Sequence, residues 1–282
     1  MSGLEDLLEK VIEGDCLNIM PSIPDGSIDM ILTDLPYGTT GIVWDIAIDL
    51  AMLWKQYERV IKSNGVIALS SQGIFTGKLI MSNERLFKYK LVWVKSTPTN
   101  FLNAKKAPMR RHEDICIFYK GQPTYHPHME QGKSAAWKLQ KRDDSDSFGK
   151  LKAVPGAKKS RYRFPTDVLF YEPEEEGILD SVYFKNASAE GGTVHPTQKP
   201  EALARYLIRT FTDPGQVVLD SACGSGSFLV AAVKEGRRFI GIEKNDHAVH
   251  KGRFVNYIDL SRRRLEKAYR WREEEDKKLS LF

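Results

Sequence analysis

The chain has 282 residues, 41% hydrophobic and 28% charged, a balance ordinary for a soluble globular enzyme and long enough for one α/β domain with an insertion. No apolar run approaches the roughly 18–20 residues of a membrane span, and the acidic opening MSGLEDLLEKVIEGD lacks a signal-peptide pattern, so a cytoplasmic protein is expected. The formal charge of +5 suits a polyanion partner without specifying one, while three scattered cysteines, Cys16, Cys116 and Cys223, read neither as a disulfide framework nor as a zinc site, and no metal is expected.

In chain order, Ile28–Thr33 is a short apolar run ending in an acid and a Pro turn, the pattern of a buried parallel strand. Leu50, Leu53, Trp54, Tyr57 and Ile61 then recur at helical spacing, and Asn64-Gly65 is the expected stop. Val66–Ser70, Tyr89–Lys95 and Asp114–Lys120 read as further strands. From Gly121 to about Tyr162 periodicity is lost, and Lys, Ser, Gly, Asp and Gln dominate a loop-rich insertion. The α/β pattern resumes with a helix over Pro200–Phe211, a strand over Val217–Asp220, a helix over Phe228–Glu235 and a strand over Arg237–Glu243. A long charged helix from about Asp246 to Lys278 closes the chain, with its stretch RRRLEKAYRWREEEDKK expected as a solvated face or a dimer contact. Alternating strands and helices predict a doubly wound, mostly parallel sheet.

Charge is unevenly placed. From Phe101 to Phe164 there are fifteen basic residues against six acids, so this segment is more basic than the whole chain. Lys133, Lys138, Lys141, Arg142, Lys158, Lys159, Arg161 and Arg163 are candidates to neutralise phosphates. Trp137, Phe148 and Tyr162 are the aromatic residues set among these cations. For any single lysine the plainer reading is a solvated side chain.

Two short segments carry candidate chemistry. In VVLDSACGSGSF a strand ends at Asp220, Gly224 and Gly226 let the backbone approach a ligand, and Glu243 ends the next strand at the spacing of a ribose-binding acid. The third glycine of a dinucleotide fingerprint is replaced by Leu229, which favours a nucleoside cofactor without pyrophosphate. The second segment, Asp34-Leu35-Pro36-Tyr37-Gly38, directly follows the first buried strand. Read on its own it is an Asp-x-Pro turn that sets a carboxylate at the end of a strand.

These segments, with His195-Pro196-Thr197-Gln198-Lys199-Pro200, Gly14-Asp15-Cys16, His112-Glu113-Asp114 and Arg161–Leu169, resemble the β-class DNA amino-methyltransferases. In that family the catalytic motif comes first, the target-recognition region next and the cofactor motif last, and the chain shows that order. Leu35 stands where the family usually has proline.

The resemblance implies a Rossmann-like methyltransferase fold, α/β with an inserted loop-rich target-recognition region. It divides the chain into a catalytic half at 1–120, the insertion at 121–190, and a cofactor half with the C-terminal helix at 191–282. It implies S-adenosylmethionine as cofactor and double-stranded DNA as partner. Asp34 and Leu35 would bind the target amine, Pro36 would hold the turn, and Tyr37 would stack on the flipped base. Asp15 and Cys16 would face the cofactor adenine, Asp220, Ala222 and Gly224 its sulfonium end, and Glu243 its ribose. Thr197 and Lys199 would close over its methionine part. His195 is expected as a cap and Cys223 as a small buried filler. The expected reaction is N6-adenine methylation by a bacterial or phage-encoded enzyme, with a homodimer and a cognate restriction endonuclease as further expected partners. N4-cytosine methylation and an inactive DNA-binding module of the same fold are the alternatives.

Overall fold

The computed structural model describes residues 3–38, 47–131, 162–169, 198–244, 249–250 and 253–280. The strands are β1 (Lys10–Glu13), β2 (Ile28–Thr33), β3 (Ile61–Ser71), β4 (Phe87–Thr99), β5 (Arg110–Phe118), β6 (Glu130–Gln131), β7 (Tyr162–Arg163), β8 (Val168–Leu169), β9 (Val217–Asp220), β10 (Arg238–Glu243), β11 (Val249–His250) and β12 (Arg253–Phe254). The α-helices are α1 (Cys16–Ile19), α2 (Leu50–Val60), α3 (Ile74–Ser82), α4 (Glu201–Phe211), α5 (Ser227–Lys234) and α6 (Tyr257–Leu279).

Eight strands form one sheet in the order β1-β10-β9-β2-β3-β5-β4-β8. Neighbours from β1 to β3 are parallel. β5 runs antiparallel to both β3 and β4, and β8 lies parallel to β4. From β9 the chain proceeds through α5 to β10 on one side, and from β2 through α2 to β3 on the other. The β9–β2 junction is therefore the point where the winding reverses, the place where open α/β sheets form a ligand crevice.

Two cores flank the sheet because successive strand residues point to opposite faces. Met30, Leu32, Val66, Ala68, Ile115 and Ile117 share one core with α4, α5 and α6. Ile31, Ile67, Leu69, Cys116 and Phe118 share the other with α2 and α3. Asp29 is the charged exception in β2. Its buried carboxylate accepts from the Val217 amide at 2.9 Å and pairs with Lys62 at 2.7 Å, tying the start of β9 to β2.

Three expectations change. Helix α2, capped by the Asp49 carboxylate on the Ala51 and Met52 amides, ends at Val60 rather than at Asn64-Gly65. The amides of Gly26 and Ser27 bond the Arg59 and Val60 carbonyls and draw the chain straight into β3. Gly65 serves close approach instead, since a Cβ there would lie 2.9 Å from the Asp29 carbonyl oxygen.

The closing helix starts at Tyr257, not near Asp246. The β11–β12 pairing precedes it, and Asn256 caps it by accepting from the Asp259 amide. Nor is this helix a purely solvated face. Tyr257, Ile258, Ser261, Leu265 and Ala268 are buried, where α6 packs on α5 and β1. Its distal turns do carry the expected exposed pairs, such as Arg272 with Asp276.

Candidate active site

The C-terminal ends of β1, β10, β9 and β2 lie side by side, and each delivers an acid. Asp15 follows β1, Glu243 ends β10, Asp220 ends β9 and Asp34 follows β2. Backbone bonds hold these ends in register: the Gly14 amide to the Glu243 carbonyl, the Cys223 amide to the Ile242 carbonyl, and the Ser221 amide to the Thr33 hydroxyl at 3.1 Å.

The glycine loop between β9 and α5 is shaped by its residues. Gly224 and Gly226 adopt φ of +49° and +77°, a region that side-chain-bearing residues rarely enter. A Cβ on Gly226 would also meet Ser261 of α6 at 2.9 Å. The Gly224 amide donates to Glu243 Oε2 at 2.7 Å, and the Ala222 amide donates to Asp220 Oδ1 at 3.3 Å. Asp220 is 2% exposed. Burial pushes its carboxyl well above the usual carboxylate range, against the Ala222 amide. Asp15 caps α1 through the Leu17 amide. Cys16, in that helix's first turn, is buried, and burial raises its thiol to about 11. Such a thiol stays protonated and is no nucleophile at neutral pH. Arg264 reaches over from α6 and donates to the Ser225 carbonyl and to the Ser225 and Ser227 hydroxyls at 2.6, 3.0 and 3.1 Å.

At Asp34 four charges alternate. Lys199 Nζ lies 2.7 Å from Asp34 Oδ2 and 3.1 Å from Glu113 Oε2, and Lys95 Nζ lies 2.7 Å from Glu113 Oε1. The Tyr37 hydroxyl donates to Asp34 Oδ1 at 2.9 Å. Tyr37 stacks on Phe75 of α3 with ring centroids 4.8 Å apart, and Lys199 Nζ sits 5.8 Å from the Tyr37 ring centre. Burial raises the Asp34 carboxyl, and Lys199 partly counters it. For Lys199, burial opposes the charge, but Asp34, Tyr37 and Glu113 outweigh it and hold its ammonium well above the ordinary value. For Glu113, Lys199 and Lys95 overcome burial and lower the carboxyl. Leu35 is buried at 3% exposure, so its side chain anchors the turn.

The structure thus gathers Asp34, Leu35, Pro36 and Tyr37 beside Asp15, Cys16, Asp220, Ala222, Gly224 and Glu243 along one sheet edge. It places Lys199 on Asp34. Arg163 lies in β7, across from Glu130 of β6 in the backbone register. Thr197, His195, Lys133, Lys138, Lys141, Arg142, Lys158, Lys159, Arg161, Trp137 and Phe148 lie outside the described residues. Cys223 is buried and unpaired, as a filler would be.

Phe75, Lys95 and the charge role of Glu113 were missed from sequence. Lys95 had a signal: it shares the buried face of β4 with Leu91 and Trp93, an unusual place for a lysine without a partner. Among the described residues no cluster of three or more His, Cys, Asp or Glu could hold a metal, and no helix is long and apolar enough to cross a membrane.

Known proteins resemble the chain in sequence and in fold. A family described as DNA methylase, of the N6/N4 type, matches residues 28–256. The chain is similar to the DNA adenine methyltransferase YhdJ of Escherichia coli (strain K12), at 27% identity over 94% of this chain and 85% of that protein. It is also similar to the type II methyltransferase M.HinfI of Haemophilus influenzae, at 27% identity over 93% and 70%. Among solved structures, M1.HpyAVI with SAM has a TM-score of 0.55 at 20% identity, covering 91% of this chain and 99% of that one. The cytosine-N4-specific PvuII DNA methyltransferase has a TM-score of 0.54 at 16% identity, covering 91% and 92%. These two likenesses bear on the fold.

Proposed function

The chain belongs to the N6/N4 DNA methylase family, and on that premise we propose that it methylates N6 of an adenine flipped out of duplex DNA, with Asp34 as the residue that activates the amine. The observation that carries this reading is the Asp34 carboxylate, fixed by Tyr37 and Lys199 at the mouth of the β9–β2 crevice, one residue before the Leu35 carbonyl. The similarity to YhdJ, named an adenine methyltransferase, supports the choice of adenine.

An exocyclic amine shares its lone pair with the ring and is a weak nucleophile. The Asp34 carboxylate accepts one N–H and the Leu35 carbonyl the other, which favours a tetrahedral nitrogen and stabilises its developing charge. Lys199 holds the Asp34 carboxylate ionised against the desolvation around it. Pro36 fixes the turn, and Tyr37, backed by Phe75, offers a platform for the displaced base.

The residues present fit S-adenosylmethionine. The ends of β1, β10 and β9 each present an acid, Asp15, Glu243 and Asp220, which suits a sulfonium nucleoside better than a pyrophosphate. The left-handed glycines leave room for close backbone approach. When bound, S-adenosylmethionine supplies an electrophilic methyl group. Glu243 would hold the ribose hydroxyls, Asp15 and Cys16 the adenine, and Asp220, Ala222 and Gly224 the sulfonium end. A homodimer and a cognate endonuclease belong to the same reading and rest on the sequence resemblance, while cytoplasmic action rests on the opening sequence and the lack of a long apolar run.

The test is incubation with S-adenosylmethionine and unmethylated genomic DNA, digestion to nucleosides and mass spectrometry. N6-methyladenine is expected; N4-methylcytosine instead would reassign the base, and no methylated base would refute the reading. Asp34→Ala should reduce methyl transfer by about 10²–10³-fold or more while leaving cofactor affinity within a few-fold.

A further inference from the structure

We propose that the tip connecting β4 to β5 is a DNA wedge: Phe101 and Leu102 enter the base stack beside the displaced nucleotide, while Lys105, Lys106 and Arg111 hold flanking phosphates. The inference rests on the reading that a base in duplex DNA is the substrate.

The position is set by the sheet. β5 runs antiparallel to β3, so its beginning lies at the same sheet edge as the end of β2, where Asp34 sits. Trp93 faces Glu113, Val94 faces His112 and Thr99 faces Arg110. The two strands that supply Lys95 and Glu113 to the charge cluster therefore continue past it and carry the tip outward. Arg110 stands three residues beyond Glu113, roughly 10 Å along a strand.

The tip is built, and it is built to expose apolar surface. Phe101 and Leu102 are 71% and 83% exposed. Asn100 adopts a left-handed φ of +69°, and its side chain accepts from Asn103 Nδ2 at 2.7 Å. The amides of Asn103 and Ala104 bond the carbonyls of Asn100 and Phe101, and those of Lys106 and Ala107 bond Asn103. Gln72, just past β3, braces the base of the hairpin: it donates to the His112 carbonyl at 2.8 Å and accepts from Arg110 at 3.2 Å.

Charge selects the partner. Residues 100–111 contain four cations and no acid, and all four cations are exposed. A two-fold contact with a second copy would set this patch against itself and bring like charges together. A duplex instead offers phosphates to the cations and a stack that apolar wedges enter when a base step is opened.

Two measurements on the full chain decide it. The first is the salt dependence of binding to a fluorescein-labelled 40-base-pair mixed-sequence duplex, read by anisotropy. K105Q/K106Q/R111Q should flatten the slope of log affinity against log salt by about 2–3, at roughly 0.9 per lost phosphate contact. An unchanged slope overturns the proposal.

The second compares wild type and F101S/L102S for methyl incorporation into unmethylated genomic DNA. The variant should lose about tenfold or more, with unchanged S-adenosylmethionine affinity by calorimetry; activity within twofold of wild type overturns the wedge. Sedimentation of both proteins covers the competing occupant, because a wild-type dimer that F101S/L102S dissociates would assign the patch to a second copy. A wild type that methylates no DNA would strike the transferase reading instead, and the salt slope would still decide the hairpin.

Discussion

At the scale of single residues, Asp34 and Lys199 control each other. They are 165 positions apart in sequence and 2.7 Å apart in space. Burial raises the Asp34 carboxyl, and the nearby ammonium is the main force holding it down. In the proposed role for Asp34 the ionised carboxylate is the working form, so activity should fall as pH drops through its pKa. Removing the opposing cation leaves burial unchecked and moves that pKa further up. Lys199→Met should therefore shift the acid limb of the kcat profile, measured at saturating cofactor, upward by about 1–3 pH units. An acid limb that stays where it was would sink the coupling. This pair was half legible in the sequence. Both residues stand in recognisable motifs, but the contact between them was not legible, because linear order does not reveal that α4 begins opposite the end of β2. Glu113 and Lys95 were less legible still, since a buried charge is interpretable only once its partner's position is known.

Among the elements, the C-terminal helix has a role its charged sequence conceals. Its composition suggests a solvated rod, yet Leu265 and Ala268 face α5 and β1, and Arg264 grips the glycine loop at Ser225 and Ser227. Hydrogen bonds from a charged donor contribute about 1.5–3 kcal/mol each, enough to hold a loop with two left-handed glycines in one shape. Arg264→Ala should weaken S-adenosylmethionine binding about tenfold, a change of about 1.4 kcal/mol, by calorimetry. An unaltered dissociation constant would show that the loop keeps its shape unaided. The strands β2 and β9 were readable to the residue, because short, mostly apolar runs between turn signals leave little choice. The end of α2 and the start of α6 were not. Both are fixed by partners distant in the chain or by caps that only the folded backbone presents, namely the Gly26–Ser27 amides and Asn256.

For the whole molecule, the arrangement of halves follows from one junction. The sequence order of motifs predicts a catalytic half followed by a cofactor half; in the sheet, β2 from the earlier part of the chain and β9 from the later part lie next to each other. Their ladder is short, pairing Met30 with Val218 and Ile31 with Leu219, and the clamp from Asp29 to the Val217 amide reinforces it. At the far side β8 adds to β4, so the later part of the chain clasps the earlier part from both flanks.

That double clasp makes the two halves behave as subunits of one another. A chain cut once between residues 131 and 162 would yield pieces that each own one side of every interface. Co-expressed, they should assemble as a heterodimer that retains methyl transfer. Each expressed alone would present an unpaired parallel edge and an uncovered apolar face, and should collect in inclusion bodies. Size-exclusion chromatography and an activity assay on the co-expressed pair check this, and two separately soluble, non-associating fragments would contradict it. The β2–β9 ladder with its Asp29 clamp is in this sense a quaternary contact housed within a single polypeptide.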